Sequence, residues 1–120
     1  SFTYRDGVPL DADLVFDIRF LKNPYQNEIL RPHTGLDPQV YHRLINDEGT
    51  QNYLQNLIPF LDYSFEQYFK EGRHHLTVAM GCTNGRYRSV CLVKYLEEYY
   101  RKQYRVFSVH RDLKEDEPYV

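Results

Sequence analysis

The sequence predicts an α/β domain: a central, largely parallel sheet flanked by helices, with a phosphate-type loop joining one strand to one helix. Three observations carry that class. Short apolar runs rich in β-branched and aromatic residues alternate with stretches of helical periodicity. A turn holding Gly81 and Gly85 links one such run to an amphipathic stretch. The chain has 120 residues, enough for one core and too few for two, so a single domain over 1–120 is expected, with an acidic tail from about 113.

In chain order, Phe2 to Tyr4 reads as a short edge strand, ended by Asp6-Gly7 and Pro9. Leu14 to Leu21 is almost wholly apolar and reads as a buried strand, which makes its one carboxylate, Asp17, conspicuous. Residues 23–36 carry two prolines, a glycine and no periodicity, so they form a long loop of the kind that is usually functional or mobile. Asp37-Pro38 looks like an N-cap with proline at the first helical position; Val40, Tyr41, Leu44 and Ile45 then share one face. A longer helix over about 51–70 buries Leu54, Leu57, Ile58, Leu61, Phe65 and Tyr68; Pro59 should kink or divide it, and Gly72 ends it. Leu76 to Met80 is a short strand. After the glycine turn a helix runs to about Gln103 with Val90, Val93, Leu96 and Tyr100 inward, and Tyr104 to Val109 reads as a last strand. The tail around Glu115-Asp116-Glu117 is expected to fray.

Composition narrows the function classes. Fifteen Lys+Arg against seventeen Asp+Glu give a net charge of -2, which argues against a uniformly basic nucleic-acid binder. No apolar run approaches a membrane span and no signal peptide is visible, so a cytoplasmic protein without membrane contact is expected. Cys82 and Cys91 are too few for a disulfide scaffold and read as reduced thiols. The five histidines fall in no metal-ligand spacing, so neither a metal nor a cofactor is expected. Twelve Tyr and seven Phe exceed what one small core readily hides, which favours self-association.

The chemistry concentrates in Gly81-Cys82-Thr83-Asn84-Gly85-Arg86-Tyr87-Arg88-Ser89. Gly81 and Gly85 permit backbone conformations that side chains forbid, and such a loop turns successive N–H groups inward as an anion cradle. The helix after it adds unpaired amides and the positive end of its dipole. Arg88 can fork onto a phosphate, Arg86 adds a second cation, Ser89 supplies a hydroxyl, and a thiol at Cys82 in that field should ionise readily. The bland alternative is an ordinary glycine turn with Cys82 as a small buried residue and the arginines solvated.

The spacing Cys-x-x-Gly-x-x-Arg-Ser resembles the signature loop of cysteine-dependent phosphatases. That resemblance implies Cys82 as nucleophile, Arg88 as phosphate ligand and an Asp such as Asp17 as general acid, although Gly81 stands where that family usually has His. A second resemblance covers nearly the whole chain. The blocks Pro9 to Asp13 with Phe16 to Pro24, Leu30 to Asp37, Thr77 to Val90 and Val109 to Asp112 are similar, in order and spacing, to the C-terminal domain of the RapZ-type (YvcJ) RNase adapter family.

This resemblance implies a regulatory rather than catalytic domain, excised from a longer chain whose other half binds nucleotide through a P-loop; no such motif occurs here. It also implies binding of a phosphorylated amino sugar (a hexosamine phosphate-like ligand) by Asp17, Cys82, Thr83, Asn84, Gly85, Tyr87 and Arg88, with Arg86 and Ser89 in the same loop, and contact with structured RNA. The chain departs from the family in Asn84 for the first glycine of a pair, Arg86-Tyr87 for Lys-His, Tyr25 for His, and an acidic tail for a basic one. From the residues alone, Asp17 has two readings: a contact for ligand hydroxyl or amine groups, or a carboxylate paired with Arg19 or Arg31. For RNA, seven basic residues between Gly81 and Arg111 face two acidic ones. Lys94, Arg101, Lys102, Arg105 and Arg111 are the candidate contacts, interleaved with Tyr95, Tyr99, Tyr100 and Tyr104, which either stack on bases or belong to the core.

Overall fold

A computed structural model describes residues 1–114. Three parallel strands, β1 (Phe2–Thr3), β2 (Leu14–Asp17) and β3 (Val78–Cys82), form a sheet in the order β1-β3-β2. Three helices accompany them: α1 (Pro38–Ile45), α2 (Glu48–Lys70) and α3 (Arg88–Tyr100). Two 3-10 turns are also present: Tyr4–Asp6 comes after β1, and Pro24–Gln26 opens the long loop.

The core lies on one face of the sheet. Leu14, Phe16 and Ile18 alternate with Val15 and Asp17, so pairing Leu14 with Val78 and Phe16 with Met80 lines up one apolar row. Val40, Tyr41, Leu44 and Ile45 of α1, Leu54, Leu57, Leu61 and Phe65 of α2, and Leu92, Leu96 and Tyr100 of α3 close over it. These are the stripes that the helical period assigns, apart from Ile58, Tyr68 and Val93, which are only half-buried, and Leu92, which it does not assign.

Several expectations are corrected. β2 is an edge strand four residues shorter than expected, and Asp17 is not buried. The chain turns there because the Asp17 carboxylate takes the Arg19 N–H at 3.0 Å and Leu21 N–H bonds back to the Ile18 carbonyl. Pro59 neither ends nor divides α2: it sits on the exposed face, where water can reach the Gln55 carbonyl left without its donor. β3 runs two residues further, so Gly81 and Cys82 belong to the strand and the loop begins at Thr83. α3 stops at Tyr100.

Tyr104 to Val109 forms no strand. Its side chains do alternate between half-buried and exposed, but its backbone pairs with no strand among the described residues. Residues 109–112 lie along the outer edge of β1 instead. The Ser1 nitrogen donates to the Val109 carbonyl at 2.8 Å, Arg111 N–H to the Ser1 carbonyl at 3.1 Å, and Thr3 N–H to the Asp112 carboxylate at 2.8 Å. Most of the acidic tail, 115–120, lies outside the described residues.

Candidate functional site

The strands end together, and the glycine loop sits at their carboxyl ends, the side of a parallel sheet where ligands ordinarily bind. A β-carbon at Gly81 would lie 2.3 Å from the Phe2 ring, so only glycine lets the aromatic side chain of β1 cross under the strand. Cys82 is 1% exposed; its thiol donates to Ser89 Oγ at 3.1 Å and accepts from Ser89 N–H at 3.5 Å. Strand end and helix start are thereby joined at the loop's base.

Between them, Gly85 has φ +66, a left-handed conformation that costs a side-chain-bearing residue about 1–2 kcal/mol. The Thr3 hydroxyl bonds the Thr83 carbonyl and fixes the rim of the loop. Tyr87 precedes α3 without a side-chain cap on the helix. The consequence is a run of donors: the N–H groups of Asn84, Gly85, Arg86, Tyr87 and Arg88 have no protein acceptor among the described residues. Left-handed glycine before helical residues is the backbone pattern that aims such groups at a common point.

Three consecutive side chains hold this loop against the one spanning residues 19–35. Arg86 gives Nε to the His33 carbonyl at 3.0 Å, Nη2 to Pro32 at 3.0 Å and Nη1 to Lys114 at 3.2 Å. Tyr87, 1% exposed, gives its hydroxyl to the Arg31 carbonyl at 2.5 Å. Arg88, 4% exposed, gives Nη1 to the carbonyls of Arg19 at 2.5 Å and Leu21 at 3.2 Å; Nε and Nη2 have no protein acceptor among the described residues. Arg86 and Tyr87 are therefore occupied with carbonyls, whereas Arg88 keeps part of its fork.

Asp17 pairs with Gly81 across the sheet, one residue before Cys82. Arg19 grips its carboxylate, with Nη2 at 2.6 Å and Nε at 2.9 Å, and lies 4.0 Å over the Tyr4 ring. Hydrogen bonds from Arg19, helped by the charge of Arg88, hold the Asp17 carboxyl below the usual carboxylate range. Thr83 is exposed and Asn84 half-buried at the loop's rim. His33 bonds Gln39 and lies 3.4 Å from Asp37, as a loop hydrogen-bonder does. Sequence reasoning does not assign Thr3, Arg19, Gly35 and Asp112 to the site. A β-carbon at Gly35 would lie 2.5 Å from the Tyr87 carbonyl, so this glycine lets the long loop dock on the start of α3. Of the four, only Gly35 and Arg19 carry a sequence signal, as a glycine in the loop and a cation two residues from a carboxylate.

The basic residues are dispersed. Arg101 pairs with Glu97 at 2.7 Å, Arg111 with Asp112 at 2.8 Å, and Lys94 lies 4.4 Å over the Tyr41 ring. Lys102 and Arg105 are exposed and have no ion-pair partner among the described residues. Tyr100 is core, while Tyr99 is 41% exposed and stacks on Tyr95. The second thiol, Cys91, is buried, which pushes its pKa up to about 12. Among the described residues no cluster of His, Cys, Asp or Glu is placed to hold a metal ion, and no helix is long and apolar enough to cross a membrane.

The family model described as the RapZ C-terminal domain matches residues 1–114. The chain is 46% identical over 114 residues to a nucleotide-binding protein of Staphylococcus epidermidis, covering 93% of this chain and 38% of that one. It is 44% identical over 113 residues to a nucleotide-binding protein of Bacillus pumilus and 42% identical over 113 residues to nucleotide-binding protein YvcJ of Bacillus subtilis. Each of these two alignments covers 94% of this chain and 38% of the relative, so the chain spans well under half their length.

Proposed function

The chain belongs to the family of RapZ C-terminal domains, and from that premise we propose that it is a regulatory binding module whose Cys82–Ser89 loop takes a phosphorylated amino sugar or a similar anion. The observation that carries this reading is the run of five N–H groups from Asn84 to Arg88 without acceptors among the described residues. A phosphate in that cradle accepts from backbone amides, the α3 dipole and the unused side of Arg88. Thr83 and Asn84 border it. Asp17, ionised at neutral pH, supplies the charge that an ammonium group on the ligand would seek. Arg86, Tyr87 and Ser89 act behind the cradle, holding its walls.

Binding is favoured over phosphoryl transfer because Cys82 is buried with both hydrogen bonds spent on Ser89, and Asp17 is held by Arg19 rather than free as an acid. Contact with RNA is the second reading, supported by Lys102 and Arg105, exposed and without an ion-pair partner among the described residues, and by the stacked Tyr95 and Tyr99 of α3. The relatives' names speak of nucleotide binding, which is a property of proteins far longer than this chain.

Calorimetric titration with a hexosamine phosphate, the parent sugar and inorganic phosphate tests the main reading. Binding of the phosphorylated compounds should weaken at least about tenfold in Arg88→Lys, checked for native melting. No heat at millimolar ligand, or an Arg88→Lys titration identical to the parent, removes it. Release of an aryl alcohol from its phosphate, abolished by Cys82→Ser, would replace it with the phosphatase. A structured RNA whose mobility shift shows no salt dependence would end the RNA reading.

A further inference from the structure

The 19–35 segment lines a groove of about 390 Å³ against the end of α1 and the start of α2, bordered by no residue of the Cys82–Ser89 loop. Its floor is apolar: Pro24, Leu30 and Leu44 are all buried. Its rim is polar and consists of Lys22, Asn23, Gln26, Asn27, Arg43 and Asp47.

The hydrogen-bonding state of that rim is one-sided. Asn23 Oδ1 accepts from Tyr25 N–H at 3.1 Å, and Asn27 Oδ1 accepts from Ile29 N–H at 2.9 Å and Leu30 N–H at 3.3 Å. Both amide oxygens are spent on holding the loop, which assigns the amide orientation and leaves each Nδ2 as a spare donor. Lys22 and Arg43 are exposed and have no ion-pair or hydrogen-bond partner among the described residues. The single carboxylate, Asp47, is partly committed: as the N-cap of α2 its Oδ2 accepts from Gly49 N–H at 3.1 Å and Thr50 N–H at 3.4 Å. What the groove offers a ligand is therefore two cations and the amide donors of Asn23 and Asn27, with the amide of Gln26 beside them. Against these donors stand the Asp47 carboxylate, whose Oδ1 has no partner among the described residues, and the Gln26 amide oxygen, so two cations face one carboxylate.

We propose that this groove is a second anion site, separate from the Cys82–Ser89 loop, and that it takes a phosphate group. A volume of this order admits a phosphate with part of the sugar that carries it. Arg43 belongs to α1 and Lys22 to the loop, and both line the groove, so a phosphate held by the two would bridge the two elements. The phosphate can come from a small phosphorylated molecule or from a nucleic-acid backbone; the donor set suits both, and the experiment separates them.

Amide NMR of the isotopically labelled protein, titrated at constant ionic strength, reads the two sites independently. Inorganic phosphate should shift the side-chain NH₂ signals of Asn23 and Asn27 and the neighbouring loop amides. In the double variant Lys22→Gln/Arg43→Gln, whose exposed side chains leave folding intact, that set should lose affinity by at least about tenfold while signals of Asn84 to Arg88 respond as before. A short single-stranded oligoribonucleotide forms the second arm. Affinity at least about tenfold above inorganic phosphate, falling steeply with salt, identifies a nucleic-acid backbone; equal affinity identifies a small phosphorylated ligand. A groove set that answers neither probe, or answers identically in the double variant, overturns the proposal. Silence of the Asn84–Arg88 set alone removes the loop reading and leaves this one standing.

Discussion

Gly81 and Gly85 lie four residues apart and are glycine for different reasons. Gly85 holds a left-handed φ of +66 in the middle of the loop, a conformation that favours glycine. Gly81 is ordinary strand backbone, but the buried Phe2 ring occupies the space a β-carbon would fill, at 2.3 Å. The cysteine-phosphatase pattern places a histidine at this position, and here a histidine would drive Phe2 from under β3. Overpacking a closed site of this kind costs about 1–3 kcal/mol. Gly81→Ala should therefore lower the unfolding free energy in urea by that order, with an unchanged slope. A midpoint equal to the parent's would show that Phe2 yields freely, and the steric reason for Gly81 would be lost. The identity of each loop residue was legible in the sequence; which of them face the cradle was not. Arg86 and Tyr87 spend their side chains on carbonyls more than fifty residues earlier, and no spacing rule reports partners that the fold alone brings together.

Among the elements, those fixed by local periodicity are legible in the sequence and those fixed by a partner are not. The apolar stripes of α1, α2 and α3 follow from a 3.6-residue period that needs no knowledge of neighbours. Tyr104 to Val109 carries a true two-residue alternation, yet a strand also requires a backbone to pair with. β1 is only two residues long, and Asp112 takes its outward Thr3 N–H. The same distinction governs Pro59. An interior proline ordinarily costs a helix about 3 kcal/mol, but α2 spans 23 residues and is anchored through Leu54, Leu57, Leu61 and Phe65 on the opposite face. Packing outweighs the lost hydrogen bond instead of abolishing its cost. Pro59→Ala should restore the bond to the Gln55 carbonyl and raise stability by about 1–3 kcal/mol, seen as a higher urea midpoint. A lower midpoint would mean that the proline shapes α2 in a way its exposed position does not suggest.

At the scale of the molecule, three carboxylates fasten connecting segments to the sheet and to α3. Asp13 takes Arg73 at 2.6 Å and Thr77 N–H at 2.8 Å, tying the entry of β2 to the connection before β3. Glu97 of α3 holds Ser108 of the last segment, together with Arg101. Asp112 holds that segment to β1. Hydrogen bonds from Arg73 and from Ser108, respectively, keep Asp13 and Glu97 below the ordinary carboxylate range. For Asp112, burial acts in the opposite sense, and its bonds from Arg111 and Thr3 N–H outweigh it. A carboxyl whose folded value is depressed contributes stability that is fully present above its unfolded value, near about 4, and is lost as pH falls through the folded one. These contributions add in one direction. Two half-buried bases act in the same direction at higher pH: the Ser1 amino group, lowered to about 6, and His110, also lowered, resist protonation in the fold and lower stability as pH falls from neutral to about 5. The carboxyls should then take a further ~1 kcal/mol or more by about pH 3. Asp112→Asn separates this from general acid expansion, because an amide keeps the shape but not the charge-assisted bond to Thr3 N–H beside Gly85. Its fall between about pH 5 and 3 should be smaller than the parent's, while neutral-pH stability drops. Parallel profiles for the two proteins would mean that the strap of residues 109–112 adds nothing to the edge of β1 through its charge, and the anion loop would then owe its rim to Thr3 alone.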